Sequence, residues 1–498
     1  MLNKRGSGIL LHPTSLPGAL GSGDLGADAY RFVDWLHSTG QSYWQMLPVG
    51  EIGPGNSPYM STSSFAGNVL LIDLQDLAAR GWLHPDAIKP ADDIRSEYVD
   101  YGRIIPFRVS RLRMAFSKFD LIKNNEMSEH FNVFCESEAG WLDDYAIFMT
   151  ISNLHPGVEW SQWPEPLLQR KAAALNHIRR THTEEIAFWK FVQWCFDRQW
   201  QSLREYAHTK GVMLIGDVPI FVAYHSADVW ANQGLFNLDP HGRPLTVAGV
   251  PPDYFSETGQ LWGNPLYQWD IHEKTGYVWW IARMRRTLDL SDVVRVDHFR
   301  GFAGFWEIPA DATTAIEGRW VDGPGAKLFD ALKRAIPSLP IIAEDLGVIT
   351  EDVVTLREQF HLPGMKVLQF AFGGGDDNPF LPHNYVKNCV AYTGTHDNST
   401  TVGWWQGLQQ HERDSVTHYL NIDTSEIHWA MIAALQASVA NTVIFPLQDV
   451  MGLDDNNRMN FPGKLDGNWA WRFRWADLLD SDSIRLHELT QQNGRVLA

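Results

Sequence analysis

Eight short apolar runs of the kind that form buried strands recur along the 498-residue chain, and helix-like stretches separate many of them. Alternation of strands and helices is typical of α/β folds with a parallel sheet. Eight such runs predict a (β/α)8 TIM barrel, with a doubly wound open sheet as the alternative that pattern alone leaves open. The runs span residues 8–12, 43–49, 212–222, 292–299, 340–346, 365–372, 389–397 and 442–450.

The spacing between these runs is uneven, and two gaps far exceed the roughly 30 residues of one strand–helix–strand unit. Between the second and third runs, approximately residues 70–205 are rich in helix formers and amphipathic patterns, which predict a large, mostly helical insertion. Between the third and fourth runs, approximately residues 225–285 predict a loop-rich insertion. The sequence shows no internal repeat and no low-complexity linker, so we interpret residues 1–498 as a single elaborated barrel.

Charge and cysteine content exclude several classes of protein. The net charge of −18 argues against a nucleic-acid partner, which requires a basic surface. No apolar run reaches membrane-spanning length, so we expect no membrane partner. The three cysteines, Cys135, Cys195 and Cys389, are too few and too widely spaced for a disulfide framework or a zinc site. These features predict a cytoplasmic location.

Three of the runs carry carboxylates at or near their carboxyl ends: the fourth has Asp297, the fifth has Glu344 and Asp345, and the seventh has Asp397. An acid at the end of a buried strand lies at the strand's carboxyl tip, and that rim of a parallel barrel is where chemistry takes place. Carboxylates gathered at one rim are the groups that cleave and form glycosidic bonds. The pattern therefore indicates sugar chemistry.

The segment RVDHFRG places Arg295 and Asp297 on the same face of a strand. A guanidinium beside a carboxylate favours the ionised form that a nucleophile requires. A structural ion pair at the strand end is the alternative.

Glu344 and Asp345 are adjacent, so in an extended strand their side chains face opposite ways. One of them would face the barrel mouth, where the preceding apolar run supplies the dry setting that a general acid needs. Sequence alone does not say which, and Asp345 also suits the start of a helix.

His396 and Asp397 offer a donor and an acceptor to sugar hydroxyl groups. Metal binding is the competing interpretation, but His12, His298 and His396 are scattered and form no HExxH-like cluster. We therefore expect no metal and no cofactor.

A glycine-rich segment at 21–26 (GSGDLG) matches the dinucleotide fingerprint GxGxxG. Pro13 and Pro17 interrupt the approach from the strand, and Gln41 stands where an acid would hold a ribose. We interpret the segment as a glycine loop at the barrel rim.

Tryptophan is unusually frequent, with 22 residues. Trp189, Trp194 and Trp200 lie in a helix-like pattern and are expected in the core. The Pro/Gly-rich segment 249–270 carries further aromatic residues, Trp262 among them, and suits either a packed surface loop or an aromatic cover over a sugar site.

The whole chain resembles the 4-α-glucanotransferases (amylomaltases, disproportionating enzymes) of glycoside hydrolase family 77, relatives of the α-amylases. The resemblance runs nearly end to end through long motifs in a fixed order. These are HPTSLPGALGSGDLG (12–26), GNSPYMSTSSFAGN (55–68), GDVPIFVAYHSADVWAN (216–232), GVPPDYFSETGQLWGNP (249–265), RVDHFRGF (295–302), IIAEDLG (341–347), GTHDN (394–398) and QDVMGLDDNNRMNFPG (448–463).

The resemblance implies roles for individual residues. Asp297 would be the nucleophile, Glu344 the acid/base, and Asp397 the third acid, which distorts and holds the donor sugar. The part of the chain at 225–285 would lie on the acceptor side. The implied sugar-binding residues are Arg295, His298 and His396 in the donor subsite, the sugar-contacting Tyr59, Asp217 as the strand-3 aspartate of the amylase clan, and Tyr254, Phe255 and Trp262 in the acceptor-side loop.

The implied reaction transfers a segment of an α-1,4-glucan to the 4-hydroxyl of glucose or another glucan, by a retaining double displacement. The expected partners are α-1,4-glucans and maltooligosaccharides, with glucose as acceptor, and the expected assembly is a monomer or homodimer. An α-1,4-glucan hydrolase of the amylase type is the alternative, because the same three acids would serve it.

Overall fold

A computed structural model describes residues 2–89, 97–120, 126–252, 256–422, 426–464 and 466–496. Eight parallel strands close into a barrel, and four antiparallel strands form a second, smaller sheet. The strands are β1 (Gly6–Leu10), β2 (Tyr43–Gln45), β3 (Met213–Pro219), β4 (Thr246–Val250), β5 (Gln260–Pro265), β6 (Val293–Asp297), β7 (Gly304–Pro309), β8 (Arg319–Asp322), β9 (Ile341–Ala343), β10 (Gly364–Val367), β11 (Cys389–Tyr392) and β12 (Thr442–Pro446).

The barrel strands follow the order β1-β12-β11-β10-β9-β6-β3-β2, and the ring is closed by pairing between β1 and β2. Each of the eight predicted runs overlaps one barrel strand, so the (β/α)8 prediction is confirmed and the doubly wound alternative is wrong. The barrel strands are almost wholly buried, because helices cover their outer faces and side chains fill the interior. This burial on both faces explains why the strands are continuous apolar runs.

Helices surround the barrel and fill the long gap between β2 and β3. Among the described residues the α-helices are Ala27–Ser38, Leu74–Ala79, Tyr101–Asp120, Glu126–Ser137, Ala139–Leu154, Glu165–Leu168, Ala172–Thr181, Thr183–Thr209, Ala227–Ala231, Trp269–Lys274, Val278–Leu290, Ala326–Ala335, Glu351–Gln359, Thr401–Gly407, Gln410–Leu420, Ile427–Ala437, Leu447–Val450 and Asp480–Gln492.

The insertion between β2 and β3 is helical, as predicted, and its long helix Thr183–Thr209 packs against the barrel. The predicted core positions Trp189, Trp194 and Trp200 on this helix are all buried. Gln193 of the same helix receives a hydrogen bond from the backbone N–H of Gly67 and donates one to its carbonyl, at 2.8 and 2.9 Å. The insertion therefore anchors the loop that follows β2.

The insertion between β3 and β6 contains two strands that the sequence analysis did not predict. β4 and β5 join β7 and β8, which come later in the chain, in a sheet of order β5-β4-β7-β8. These strands are short and two of them lie in Gly/Pro-rich sequence, and β4 pairs with β7 more than 50 residues away. Strand formation here depends on long-range pairing that local periodicity does not encode.

The glycine loop at 21–26 packs against its own neighbouring turn. A Cβ atom on Gly23 would lie 1.9 Å from the carbonyl oxygen of Pro13, and Gly21 has a φ of +85°. Local packing thus requires these glycines. In the parts of the chain that the structure covers, no helix is both long enough and apolar enough to cross a membrane.

Candidate active site

One wall of the barrel mouth is built from charged side chains on the neighbouring strands β3 and β6. Asp217 and Arg295 are paired in register across these strands, and Arg295 Nη1 donates to Asp217 Oδ2 at 2.7 Å. Arg295 Nη2 donates to Asp297 Oδ1 at 2.8 Å. The Arg295 side chain is only 5% exposed and that of Asp217 only 1%, whereas Asp297 is 30% exposed. One buried cation therefore holds two carboxylates, of which Asp297 faces the opening.

Burial and charge act in opposite directions on this wall. Burial raises the pKa of Asp217 to about 6, although Arg295 opposes the shift. Burial also disfavours the charged form of Arg295, but Asp217 and Asp297 outweigh it and raise the pKa of the guanidinium well above its ordinary value. Arg295 is therefore a permanent cation beside Asp297.

Glu344 follows β9 directly and lies next to the end of β6. The register pairs Val296 with Ala343, so Asp297 and Glu344 are the next residues on two adjacent parallel strands. The Glu344 carboxylate accepts hydrogen bonds from the backbone N–H groups of His298, at 2.7 Å, and Leu346, at 2.8 Å. Burial, followed by the neighbouring Asp297, raises the pKa of Glu344 to about 7. A carboxyl group in this state can donate a proton near neutral pH.

The backbone of His298 is left-handed, with a φ of +52°, which is uncommon for a residue other than glycine. This conformation brings its N–H group to Glu344. Burial lowers the pKa of the imidazole to about 4, so the ring is neutral at physiological pH. Trp262 packs edge-on against it, with ring centroids 4.9 Å apart.

Asp345 interacts with a different set of groups from Glu344, in keeping with the expected alternation. Its carboxylate accepts from Arg357 Nη1 at 2.8 Å and from the backbone N–H of Met365 at 2.7 Å. Its side chain is 7% exposed. Asp345 therefore joins β9 to helix Glu351–Gln359 and β10.

The opposite wall of the mouth is a loop that follows β11 and carries His396 and Asp397. Asp397 is 46% exposed, and its Oδ2 lies 3.3 Å from His396 Nε2. Asn460 Nδ2 donates to Asp397 Oδ1 at 2.6 Å, and Arg458 Nη2 donates to the Asp397 carbonyl at 2.8 Å. Contacts from a distant loop thus hold this acid.

Tyr59 connects the two walls. Its hydroxyl group donates to Asp217 Oδ2 at 2.8 Å, and the Tyr59 hydroxyl oxygen also lies 2.9 Å from His396 Nε2. The rings of Tyr59 and His396 are stacked, with centroids 5.4 Å apart, and Trp469 packs beside both. We call the wall formed by the ends of β3, β6 and β9 the strand wall, and the wall formed by the loop after β11 the loop wall. The acids of the two walls therefore belong to one connected polar network.

The structure brings most of the predicted site residues together at the barrel mouth, and it does not describe two of them. Tyr254 and Phe255 lie outside the described residues. Sequence reasoning assigned no role to Asn460, Arg458 or Trp469. Asn460 and Arg458 lie within the motif QDVMGLDDNNRMNFPG, which is shared with the family. That shared motif is the sequence signal that could have pointed to them.

Two of the predicted sugar-binding residues each have a polar atom that makes no hydrogen bond to the described part of the protein. Asp217 Oδ1 and His298 Nε2 are buried without a hydrogen-bond partner within the described ranges. Over the same ranges, no three His, Cys, Asp or Glu side chains are grouped so as to hold a metal ion.

Comparisons with known proteins agree on one group. A family profile described as 4-alpha-glucanotransferase matches residues 11–478. The chain is 48% identical to a 4-alpha-glucanotransferase of Thermus thermophilus and 46% identical to one of Synechocystis, each over 99% of both chains. Its fold matches an amylomaltase from Streptococcus agalactiae, solved in complex with acarbose, with a TM-score of 0.96 and 38% identity over 99% of this chain and 100% of that one.

Proposed function

Because the chain belongs to the 4-alpha-glucanotransferase family, we propose that it disproportionates maltooligosaccharides through a covalent glycosyl-aspartate. The enzyme class follows from the family, and the substrate lengths and the chemical steps are the proposal. The donor is an α-1,4-glucan, and the acceptor is the 4-hydroxyl of glucose or of a second glucan.

In the first step, an oxygen of the Asp297 carboxylate attacks the anomeric carbon of the donor and forms an ester bond. The bond from that carbon to the bridging oxygen breaks, and Glu344 gives its proton to the departing oxygen. The raised pKa of Glu344 supports the proton-donor role. The Arg295 guanidinium, which donates to Asp297 Oδ1 at 2.8 Å, orients the nucleophile and places a positive charge beside it.

In the second step, Glu344, now a carboxylate, removes the proton from the 4-hydroxyl of the acceptor. The acceptor oxygen attacks the anomeric carbon, and Asp297 leaves as a carboxylate. Two inversions at the same carbon give net retention. Loss of the proton also restores Glu344 to its starting state for the next cycle.

The observation that carries this mechanism is the register of β6 and β9. Asp297 and Glu344 each follow a paired residue on adjacent parallel strands. Such strands lie about 4.8 Å apart. Retaining enzymes hold their two carboxyl groups about 5–5.5 Å apart, whereas inverting enzymes need about 6.5–9.5 Å. Adjacent strand ends support the retaining geometry.

The other predicted residues hold the sugar in this proposal. Asp397 binds hydroxyl groups of the donor glucose and favours its distorted form. Asp217, His298 and His396 complete the donor site, with Tyr59 linking two of them, and Arg295 orients Asp297. Trp262, beside His298, would limit access of water and contact the acceptor glucan. Tyr254 and Phe255 are proposed to share both roles.

A single incubation tests the function. The purified protein is mixed with maltotriose, and the products are separated by chain length. The expected result is glucose together with a ladder of glucans longer than maltotriose. Products restricted to maltose and glucose would instead identify the hydrolase alternative, and an unchanged substrate would contradict both.

Two further predictions concern the setting of the protein. A cytoplasmic location is supported by cysteines that are all free thiols rather than disulfides. The monomer or homodimer stays a prediction from the sequence.

A further inference from the structure

The segment 454–460 contacts the Asp397 loop at several points. Asn460 Nδ2 donates to Asp397 Oδ1 at 2.6 Å. Arg458 donates to the Asp397 carbonyl at 2.8 Å and to Ser399 Oγ at 3.2 Å. Asp455 Oδ1 accepts from the backbone N–H of Thr400 at 2.9 Å. The segment therefore fixes both the backbone and the side chain at Asp397.

Burial differs sharply across the bond between Asn460 and Asp397. Asn460 is 9% exposed, whereas the Asp397 side chain is 46% exposed. An exposed carboxylate on a loop has several rotamers within reach. The buried amide donor of Asn460, hydrogen-bonded to Asp397 Oδ1, selects one of them.

We propose that Asn460 is a positioning residue that holds Asp397 in one rotamer for contact with the donor sugar. The inference rests on the proposed function, in which Asp397 binds the donor. Asn460 acts at Oδ1, whereas His396 faces Oδ2 at 3.3 Å. The other charged or titratable groups near Asp397 are Arg458 and Tyr59.

The first test replaces the amide by a methyl group. In Asn460→Ala the carboxylate loses a charge-assisted hydrogen bond, so we expect kcat for maltotriose disproportionation to fall about 10- to 100-fold, with a smaller change in KM.

The second test replaces the amide by a carboxyl group of the same shape. In Asn460→Asp the introduced group can donate to Asp397 only while it carries a proton. Activity relative to the unmodified enzyme should therefore fall as the pH rises from 5 to 8, because two ionised carboxylates repel each other. The activity of the aspartate variant thus depends on the protonation state of the side chain at position 460.

The matched control is Asn456→Ala in the same segment, whose side-chain amide donates to Asp454, two residues away. We expect its kcat within twofold of the unmodified enzyme. Pure structural damage would lower the melting temperature of the Asn460 variants and scale their rates equally at every pH, which would overturn the inference. If the unmodified enzyme makes no ladder from maltotriose, the proposed function itself fails, whatever the variants do.

Discussion

The two walls of the barrel mouth hold their acids by different means. On the strand wall, Asp217, Arg295 and Asp297 lie at positions set by the register of β3 and β6, and Glu344 follows from β9. On the loop wall, Asp397 is held by hydrogen bonds from Asn460 and Arg458. These two residues belong to a segment about 60 residues further along the chain.

This difference determines how easily a substitution can disturb each wall. Strand ends are fixed by a barrel of backbone hydrogen bonds, so the proposed nucleophile and acid keep a constant separation. The Asp397 loop is fixed by hydrogen bonds from side chains, which single substitutions can remove. We therefore expect changes on the strand wall to affect the chemical step most strongly, and changes on the loop wall to have intermediate effects.

The largest effect is expected from Asp297→Asn, which removes the proposed nucleophile from the strand wall. Disproportionation of maltotriose should fall at least about 10⁴-fold, the scale of loss when a nucleophile is removed. The melting temperature should stay close to that of the unmodified enzyme, because the amide oxygen can still accept from Arg295. Asp322→Asn, an exposed acid at the end of β8, is the control and should retain full activity. Substantial activity in Asp297→Asn would show another nucleophile.

Glu344→Gln tests the second acid of the strand wall. We expect activity to fall about 10²- to 10⁴-fold, because the amide cannot transfer a proton. The pKa of Glu344 is raised to about 7, so in the unmodified enzyme activity should decline as the pH rises above about 7.

The same raised pKa makes a prediction about stability. The folded state binds the Glu344 proton more tightly than the unfolded chain, so this group's stabilising contribution is lost as the pH rises from about 4.5 to about 7. Glutamine has no such dependence. Melting curves should therefore show Glu344→Gln gaining stability relative to the unmodified enzyme between pH 5 and pH 8. A constant difference across this range would contradict the raised pKa.

Arg458→Met tests the loop wall through its backbone contact. The variant loses the hydrogen bonds to the Asp397 carbonyl and to Ser399, so kcat should fall about tenfold, as for hydrogen bonds made by a charged donor. Lys464→Met, an exposed cation nearby, is the control and should leave kcat unchanged. A loss as large as that of Asp297→Asn would show that the two walls do not differ in the way described.

The smallest effect on catalysis is expected from Asp345→Asn, next to Glu344 but bonded to Arg357 and Met365. Stability should fall by about 1–3 kcal/mol, because the partly buried guanidinium of Arg357 loses one of its two charged partners among the described residues and keeps only Glu358. The value of kcat should stay within about threefold, as measured on maltotriose. A catalytic loss comparable to that of Glu344→Gln would mean that Asp345 also serves the reaction.

Local pattern was enough to locate the barrel strands but not the strands of the second, smaller sheet. Continuous apolar runs indicate strands that are buried on both faces, and the barrel buries each of its strands in this way. β4 and β8 carry no such run, since their stability comes from pairing with β5 and β7 in the small sheet. Local pattern likewise does not predict the contacts of Asn460 with Asp397 or of Trp469 with Tyr59 and His396, because they join distant segments.

The sequence by itself determined that eight buried strands alternate with helices and that Asp297, Glu344 and Asp397 follow three of them. It did so because burial and strand alternation leave a local trace in residue type. Only the tertiary structure decided that Glu344, rather than Asp345, lies beside His298, and that Asn460 reaches Asp397. Those outcomes depend on strand register and on contacts between distant segments, and both arise only when the chain has closed into a barrel.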